Sequence, residues 1–327
     1  MTKPLYTLQP AAVAELDALP TPPVLLYALD GHIDSGLAAG LMISDLVLNC
    51  ETKRIATFDT DDLVDYRSRR PPMIWGEGGW SDYGRPELII DQLRDVEGTP
   101  YLLLYGPEPD FKWEAFAQSV VDIVEQLNIR MALGLQGLPK LVPHTRPALV
   151  RRPGEIDDVD SAGQGVKARL HAPGSAMAMI EYRLRQANRE ATTLAADVPT
   201  YLAAVPYARA AVSLVNAASA ATGLKLATDR LEEMALRSGR QLEEEMAGAG
   251  DLTRTVMELE QRFDRLQASK RHPAGGGDPV RADSRTSEIG PIDPRGASVE
   301  LIRDLERFLA EQPAATPQVE PEPEPGS

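Results

Sequence analysis

Apolar and polar positions along residues 24–198 follow the strand, turn and helix pattern that is typical of an α/β sheet. The pattern begins with a continuous apolar run at 24–29. This run predicts a strand buried on both faces, although a buried helical turn gives the same run. A polar turn ends it, and the Ala- and Gly-rich residues beyond predict a helix packed closely on the sheet. Asp34 or Ser35 is placed to accept hydrogen bonds from the first turn of that helix.

The same criteria predict the remaining elements of the sheet domain. Further strands are predicted at 53–58, 87–94, 101–105, 130–135, 166–172 and 191–198. Helices are predicted at 63–66, 111–127, 173–189 and 200–222. The strands at 87–94 and 101–105 flank an acidic turn that ends in Gly98, so they are predicted to form a hairpin. Extended or loop structure is predicted for 1–23, which is rich in proline, and for 67–86 and 136–147.

The stretch from 176 to 198 has two interpretations. Its apolar residues are spaced by three and four, which suits one long helix. Thr192 and Thr193 are β-branched, however, and Val198 precedes a proline, which forces it into an extended conformation. We therefore predict a break near Glu190 and a last sheet strand after it.

The character of the chain changes at Thr228, where two apolar stripes at near-heptad spacing begin. Glycines separate the stripes, which predicts an antiparallel hairpin of coiled-coil-like helices. Two helices leave much apolar surface unpaired, so we expect them to dock on the sheet domain or on a neighbouring subunit. The predicted division is an α/β domain (1–226), a helical hairpin (227–268), a flexible linker (269–296), a short amphipathic helix (297–312) and a disordered acidic Pro/Glu tail (313–327).

Net charge and cysteine content limit the function classes. The chain carries a net charge of −15 and has a pI near 4.8, which argues against nucleic acid and anionic membranes as partners. Its single cysteine, Cys50, excludes an intramolecular disulfide framework and indicates a reducing compartment. Residues 1–20 lack the pattern of a signal peptide, and no apolar run approaches the ~20 residues that span a bilayer. We therefore expect a cytoplasmic protein.

Polar residues after the predicted strands are the candidate ligand or partner contacts. They are Gly31, His32, Asp34, Ser35, Glu108, Asp110, His144, Thr145 and Arg146. The last three lie in a loop bounded by prolines, where an imidazole and a guanidinium suit contact with an anion. For Asp34 and Ser35 the alternative is a role in helix capping. For the loop around His144, the alternative is a rigid segment held by its own polar side chains.

Recognisable catalytic and metal-binding patterns are missing from the sequence. The aspartates at 59, 61 and 62 lack the glycine and glutamate of a Ca²⁺ loop, and helix capping explains them better. No glycine pattern for a nucleotide and no His/Cys spacing for a metal occurs. A triad of Ser35, His144 and Asp34 would need two neighbouring residues to share one loop. We predict no catalytic residue, metal or cofactor.

Two tryptophans, Trp75 and Trp80, lie among glycines in the predicted loop at 67–86. Exposed tryptophans beside flexible glycines are typical of an interface, and the alternative is that they cover the sheet edge.

Three loops together resemble the PAC2 family, and more closely its actinobacterial branch. They are Gly31-His32-Ile33-Asp34-Ser35-Gly36, Leu104-Tyr105-Gly106-Pro107-Glu108-Pro109-Asp110 with Trp113, and Val142-Pro143-His144-Thr145-Arg146-Pro147. The similarity extends over residues 23–266. It implies a three-layer α/β/α sandwich similar to the nucleoside phosphorylase fold, here with the helical hairpin as a C-terminal appendage.

The resemblance also carries functional expectations. Eukaryotic members of the PAC2 family are proteasome assembly chaperones, and archaeal relatives form homo-oligomers. It therefore implies a non-enzymatic assembly or interaction protein that forms a homo-oligomer, with a trimer as the first expectation. A proteasome-related partner follows from the resemblance only. The alternative is a small-molecule-binding protein or enzyme that uses the loops around Asp34, Glu108 and His144.

Overall fold

Strands and helices alternate along the chain as the apolar pattern predicts. The computed structural model describes residues 4–31, 33–152, 173–246 and 250–271. The strands are β1 (Tyr6–Leu8), β2 (Val24–Tyr27), β3 (Lys53–Phe58), β4 (Met73–Gly76), β5 (Gly79–Tyr83), β6 (Ile89–Arg94), β7 (Pro100–Tyr105), β8 (Met131–Lys140), β9 (Val150–Arg151) and β10 (Ala191–Pro199). The helices are α1 (Pro10–Asp17), α2 (Ala38–Asn49), α3 (Thr60–Leu63), α4 (Trp113–Gln126), α5 (Ala176–Gln186), α6 (Ala208–Thr222), α7 (Asp229–Met246) and α8 (Gly250–Arg271).

Eight of these strands form one sheet in the order β1-β3-β6-β7-β2-β8-β10-β9. The central strands β7, β2, β8 and β10 are parallel to one another. β6 pairs antiparallel with β7, which confirms the predicted hairpin, and β9 pairs antiparallel with β10. The last predicted strand is confirmed as β10, so the interpretation of 176–198 as one helix is wrong.

Helices cover both faces of the sheet, because consecutive residues of the central strands are apolar and point to opposite faces. On one face Leu25 and Tyr27 of β2 belong to the same core as Phe116 of α4 and Ile180 of α5. On the other face, Leu26 lies in a core with α2 and α6. The predicted three-layer α/β/α architecture is therefore confirmed.

α7 packs against the sheet domain of its own chain. Leu231 is 1% exposed and belongs to the core that α2 and α6 share, and Met234 and Leu242 pack against that core. The described residues lie within one compact unit, Met1–Arg271. None of the described helices is long and apolar enough to span a bilayer.

Several predicted boundaries are corrected by the structure. The lead-in at 1–23 contains α1, which starts at Pro10 because the first turn of a helix tolerates proline. The short helix predicted at 63–66 lies at Thr60–Leu63, where Asp59 accepts a hydrogen bond from the Asp61 N–H. The helix predicted at 200–222 is interrupted: a 3-10 turn, Thr200–Leu202, precedes α6, and Pro206 between them cannot donate a backbone hydrogen bond.

Two predicted loops contain strands. Residues 67–86 include the antiparallel pair β4 and β5, which forms a sheet of its own. Residues 136–140 belong to β8, because they pair with β10 up to Pro199. The strand predicted at 166–172, the short helix at 297–312, the acidic tail and most of the linker lie outside the described residues.

Candidate functional site

Asp34 joins three elements at the carboxyl end of β2. Its Oδ1 accepts hydrogen bonds from the N–H groups of Ala39 (3.0 Å) and Gly137 (2.9 Å), and its Oδ2 accepts one from Gly40 (2.9 Å). Burial raises the pKa of this carboxyl, although the three N–H groups oppose the shift. Asp34 therefore caps α2, as one of the two interpretations predicted, and also ties that helix to β8.

Ser35 begins the 3-10 turn Ser35–Leu37 that leads into α2. Its backbone approaches β8 so closely that a Cβ at Gly137 would lie 2.1 Å from the Ser35 carbonyl oxygen. The described contact of Ser35 is therefore made by its main chain against a glycine that no larger residue can replace without movement.

Glu108 joins the loop after β7 to the start of α5 and lies against the loop after β2. It is 6% exposed, and its Oε1 accepts a hydrogen bond of 2.6 Å from the N–H of Ala176, the first residue of α5. A Cβ at Gly31 would lie 2.1 Å from the Glu108 Oε2, so the structure brings these two predicted residues together. His32 lies outside the described residues.

Asp110 fixes the segment that leads to the β4–β5 hairpin. Its Oδ2 accepts a hydrogen bond of 2.8 Å from the Asp65 N–H, and its Oδ1 lies 3.1 Å from Arg69 Nη2. Arg69 also donates to the Asp30 carbonyl oxygen at 3.3 Å. The predicted residue Asp110 is therefore part of the base from which the hairpin extends.

His144 is buried, with 6% of its surface exposed. Its Nδ1 lies 2.8 Å from the Tyr201 hydroxyl oxygen, which also accepts a hydrogen bond of 2.8 Å from the His144 backbone N–H. The His144 carbonyl oxygen accepts a hydrogen bond of 2.5 Å from Arg209. Burial and the Arg209 charge lower the pKa of the imidazole. The shift favours the neutral form of the ring.

Thr145 and Arg146 bind two carboxylates of α8. Arg146 Nε and Nη2 donate to the Asp264 oxygens at 2.9 and 2.7 Å, and Nη1 donates to Glu260 at 3.1 Å. The Thr145 hydroxyl donates to the same Glu260 oxygen at 2.5 Å. The hydrogen bonds between them raise the pKa of Arg146 and lower that of Asp264. Sequence reasoning missed both partners, although their spacing of four along a helix places them on one face.

The candidate residues thus form structural contacts around the carboxyl ends of β2, β7 and β8. Asp34 and His144 have different partners, which argues against their acting together in a triad. A cleft of about 390 Å³ lies elsewhere, and none of the candidates lines it. Among the described residues, no group of His, Cys, Asp and Glu is arranged to hold a metal ion. A role of these residues in ligand or partner contact stays a prediction.

The β4–β5 hairpin is the second candidate region, and it is apolar and exposed. Trp75 and Trp80 are 67% and 62% exposed, and their rings pack edge to face with centroids 4.9 Å apart. Glu77 and Gly78 form the turn, and Gly78 and Gly79 have φ of 97° and 125°, a conformation that favours glycine. The exposed fractions disfavour the interpretation that these tryptophans cover the sheet edge.

The model of the PAC2 family matches residues 28–246, which extend from the loop after β2 to the end of α7 and contain both candidate regions. The chain belongs to the PAC2 family. α8, whose carboxylates bind Thr145 and Arg146, lies beyond the matched PAC2 span.

Solved structures of relatives agree with this assignment. The chain is similar to a protein of unknown function from Mycobacterium tuberculosis, with 32% identity and a TM-score of 0.71, covering 84% of this chain and 93% of that one. A protein of unknown function from Corynebacterium glutamicum is 31% identical, with a TM-score of 0.71 and coverage of 83% and 99%. A proteasome-assembly chaperone homologue from Mycobacterium tuberculosis shares the fold at 23% identity, with a TM-score of 0.62 and coverage of 71% and 99%. A search of curated proteins finds no match.

Proposed function

We propose that this PAC2 protein is a non-enzymatic, homo-oligomeric assembly or interaction protein of the cytoplasm, and that the β4–β5 hairpin is its main contact surface. The observation that carries the proposal is the exposure of Trp75 and Trp80. Tryptophan, tyrosine, methionine and arginine are enriched at protein interfaces. The hairpin also exposes Met73, Ile74 and Tyr83, and exposed arginines lie on either side of it, at positions 70 and 85.

Energetics favour burial of this surface by another protein. Full burial of one large apolar side chain contributes ~1.5–3 kcal/mol, so two tryptophans alone offer a substantial driving force. An isolated two-stranded hairpin is at best marginally stable in water. Asp110 and Arg69 fix the base of this hairpin, which lowers the entropy lost when a partner binds.

The non-enzymatic part of the proposal is supported by the candidate polar residues. Asp34, Glu108 and Arg146 each bind groups of their own chain, and His144 is buried against Tyr201. The shifted pKa values of Asp34 and His144 follow mainly from burial in these structural positions. Contacts of this kind stabilise a fold and do not by themselves indicate catalysis. The alternative function, a small-molecule-binding protein or enzyme, therefore needs a bound ligand to support it.

Sedimentation equilibrium of the full chain tests the homo-oligomer. We expect an oligomer at micromolar concentration, with a trimer as the first expectation. The double variant Trp75→Ser/Trp80→Ser should dissociate, because it removes the apolar surface and leaves the sheet domain intact. Leu48→Ser is the matched control, since Leu48 is 67% exposed but lies on α2. A monomeric wild-type protein, or a double variant that stays associated, would contradict the proposal.

The partner class requires a separate measurement. By family resemblance, proteasome subunits are the first candidates, and purified proteasome α- and β-subunits of the same organism can be mixed with the full chain. We expect a complex in sedimentation velocity that the double tryptophan variant fails to form. No complex with either subunit would remove the proteasome from the proposal but leave the homo-oligomer standing.

A further inference from the structure

A cleft of about 390 Å³ lies at the end of the sheet opposite to the candidate loops. It is located where α2 ends and β3 begins, and where the chain turns from β6 into β7. Its volume is in the range of small-molecule sites. Leu46, Val96 and Leu226 supply apolar wall, and Cys50, the only cysteine in the chain, also lines it. None of the residues assigned to the proposed function takes part.

Tyr101 lines this cleft and carries a hydroxyl without a partner. The side chain is fully buried, and its hydroxyl oxygen has no hydrogen-bond partner among the described residues. A buried polar atom left unsatisfied costs about 1–3 kcal/mol, so native proteins rarely leave one without a partner. Tyr101 belongs to the same core as Leu46 and Leu226, so its ring lies on the α2 face of the sheet.

Of the other polar groups that line the cleft, the Gln92 Oε1 is also buried without a hydrogen-bond partner among the described residues, whereas the charged side chains have partners or face solvent. Asp95 accepts hydrogen bonds from the N–H groups of Glu97, Thr99 and Lys225, and Asp45 accepts one from Asn49. Lys53 forms an ion pair with Glu15. The charged side chains that line the cleft are four carboxylates and two cations, namely Glu15, Asp45, Glu51 and Asp95 against Lys53 and Arg94. This excess of negative charge favours a cation and disfavours an anion.

We propose that the cleft between α2 and the β6–β7 turn binds a small aliphatic amine, whose ammonium group donates a hydrogen bond to the Tyr101 hydroxyl. The carboxylates offset the positive charge of the ligand, and the apolar wall covers its methylene groups. The site is separate from the hairpin, so its occupation and self-association are independent properties.

Three four-carbon probes of matched length test the chemical class. They are 1,4-diaminobutane, uncharged 1,4-butanediol and succinate, and their binding to the full chain is measured by isothermal titration calorimetry. We expect binding of the diamine only. Succinate that binds as well as the diamine, or a diamine that does not bind, would overturn the proposal.

Two changes locate the binding. Tyr101→Phe keeps the buried ring and removes only the hydroxyl, and it should weaken diamine binding at least about tenfold, because hydrogen bonds to charged groups contribute about 1.5–3 kcal/mol. Alkylation of Cys50 with N-ethylmaleimide should abolish binding by filling the cleft, whereas Cys50→Ala treated with the same reagent should still bind. Unchanged affinity in Tyr101→Phe, or in the alkylated wild-type protein, places any binding elsewhere and refutes the site.

Discussion

The two candidate regions of the molecule differ in what they offer to other molecules. Around the carboxyl ends of β2, β7 and β8 lie polar side chains whose hydrogen-bonding groups bind their own chain. On the β4–β5 hairpin lie large apolar side chains that pack mainly with each other and face solvent. The polar region therefore mainly stabilises the fold, whereas the hairpin offers an exposed apolar surface. Polar residues in loops at strand ends therefore need not indicate a ligand site.

The largest effect on stability is expected at Asp34. Asp34→Ala removes an acceptor from three N–H groups on α2 and β8. We expect the free energy of unfolding to fall by about 2–4 kcal/mol, because hydrogen bonds to a charged group contribute about 1.5–3 kcal/mol each and are not additive. Chemical denaturation measures the change. Asp62→Ala is the control, since its ion pair with Lys112 is exposed and worth about 0–1 kcal/mol. Equal losses of unfolding free energy in both variants would contradict the structural role of Asp34.

Local apolar patterns made the sheet predictable, because each buried strand and helix carries its own signal. β2, β7 and β10 are recognisable from runs or alternations within a few residues. The hairpin was missed because its apolar residues lie among glycines and prolines and pack on no core. The end of β8 was missed because Gln136, Gly137 and Pro139 suit a turn, whereas their pairing with β10 holds them extended.

The partners of the candidate residues were beyond sequence reasoning for a different reason. Asp34 and Gly137 are 103 positions apart, and Arg146 and Asp264 are 118 apart. Such contacts depend on the three-dimensional arrangement of strands and helices, which a single sequence specifies only through its fold. The residue types at the site were therefore predictable, but their partners were not.

The next largest effect is expected on the local stability of α8. Arg146→Ala removes the guanidinium that binds Glu260 and Asp264. We expect faster amide hydrogen exchange in residues 252–268 with little change in global unfolding, because these ion pairs are exposed and join one helix to one loop. Arg237→Ala is the control, as Arg237 forms an exposed ion pair with Glu233 of the same helix, α7. If amide exchange in α8 does not change, other contacts hold this helix in place and the Arg146 ion pairs do not.

A smaller effect concerns the pH dependence of stability. Burial and Arg209 lower the pKa of His144 in the folded protein, whereas Glu243 and Glu260 oppose the shift. The unfolded chain therefore binds more protons between the lowered pKa and the ordinary value of 6.5, so stability falls as pH drops through this window and is complete above it. His144→Asn should flatten the slope of unfolding free energy between pH 5 and 7. An unchanged slope in the variant would show that another group titrates there.

The smallest effect on stability is expected where the proposed effect on association is largest. Trp75→Ser/Trp80→Ser should change the free energy of unfolding by no more than about 0.5 kcal/mol at concentrations where the chain is monomeric, because both rings are mostly exposed. Denaturation by urea at nanomolar concentration, followed by tyrosine and tryptophan fluorescence, measures this, and the remaining Trp113 keeps the signal. A loss of several kcal/mol would mean that the two rings pack within their own chain. The hairpin would then resemble the polar region, and the contrast that supports the interface would disappear.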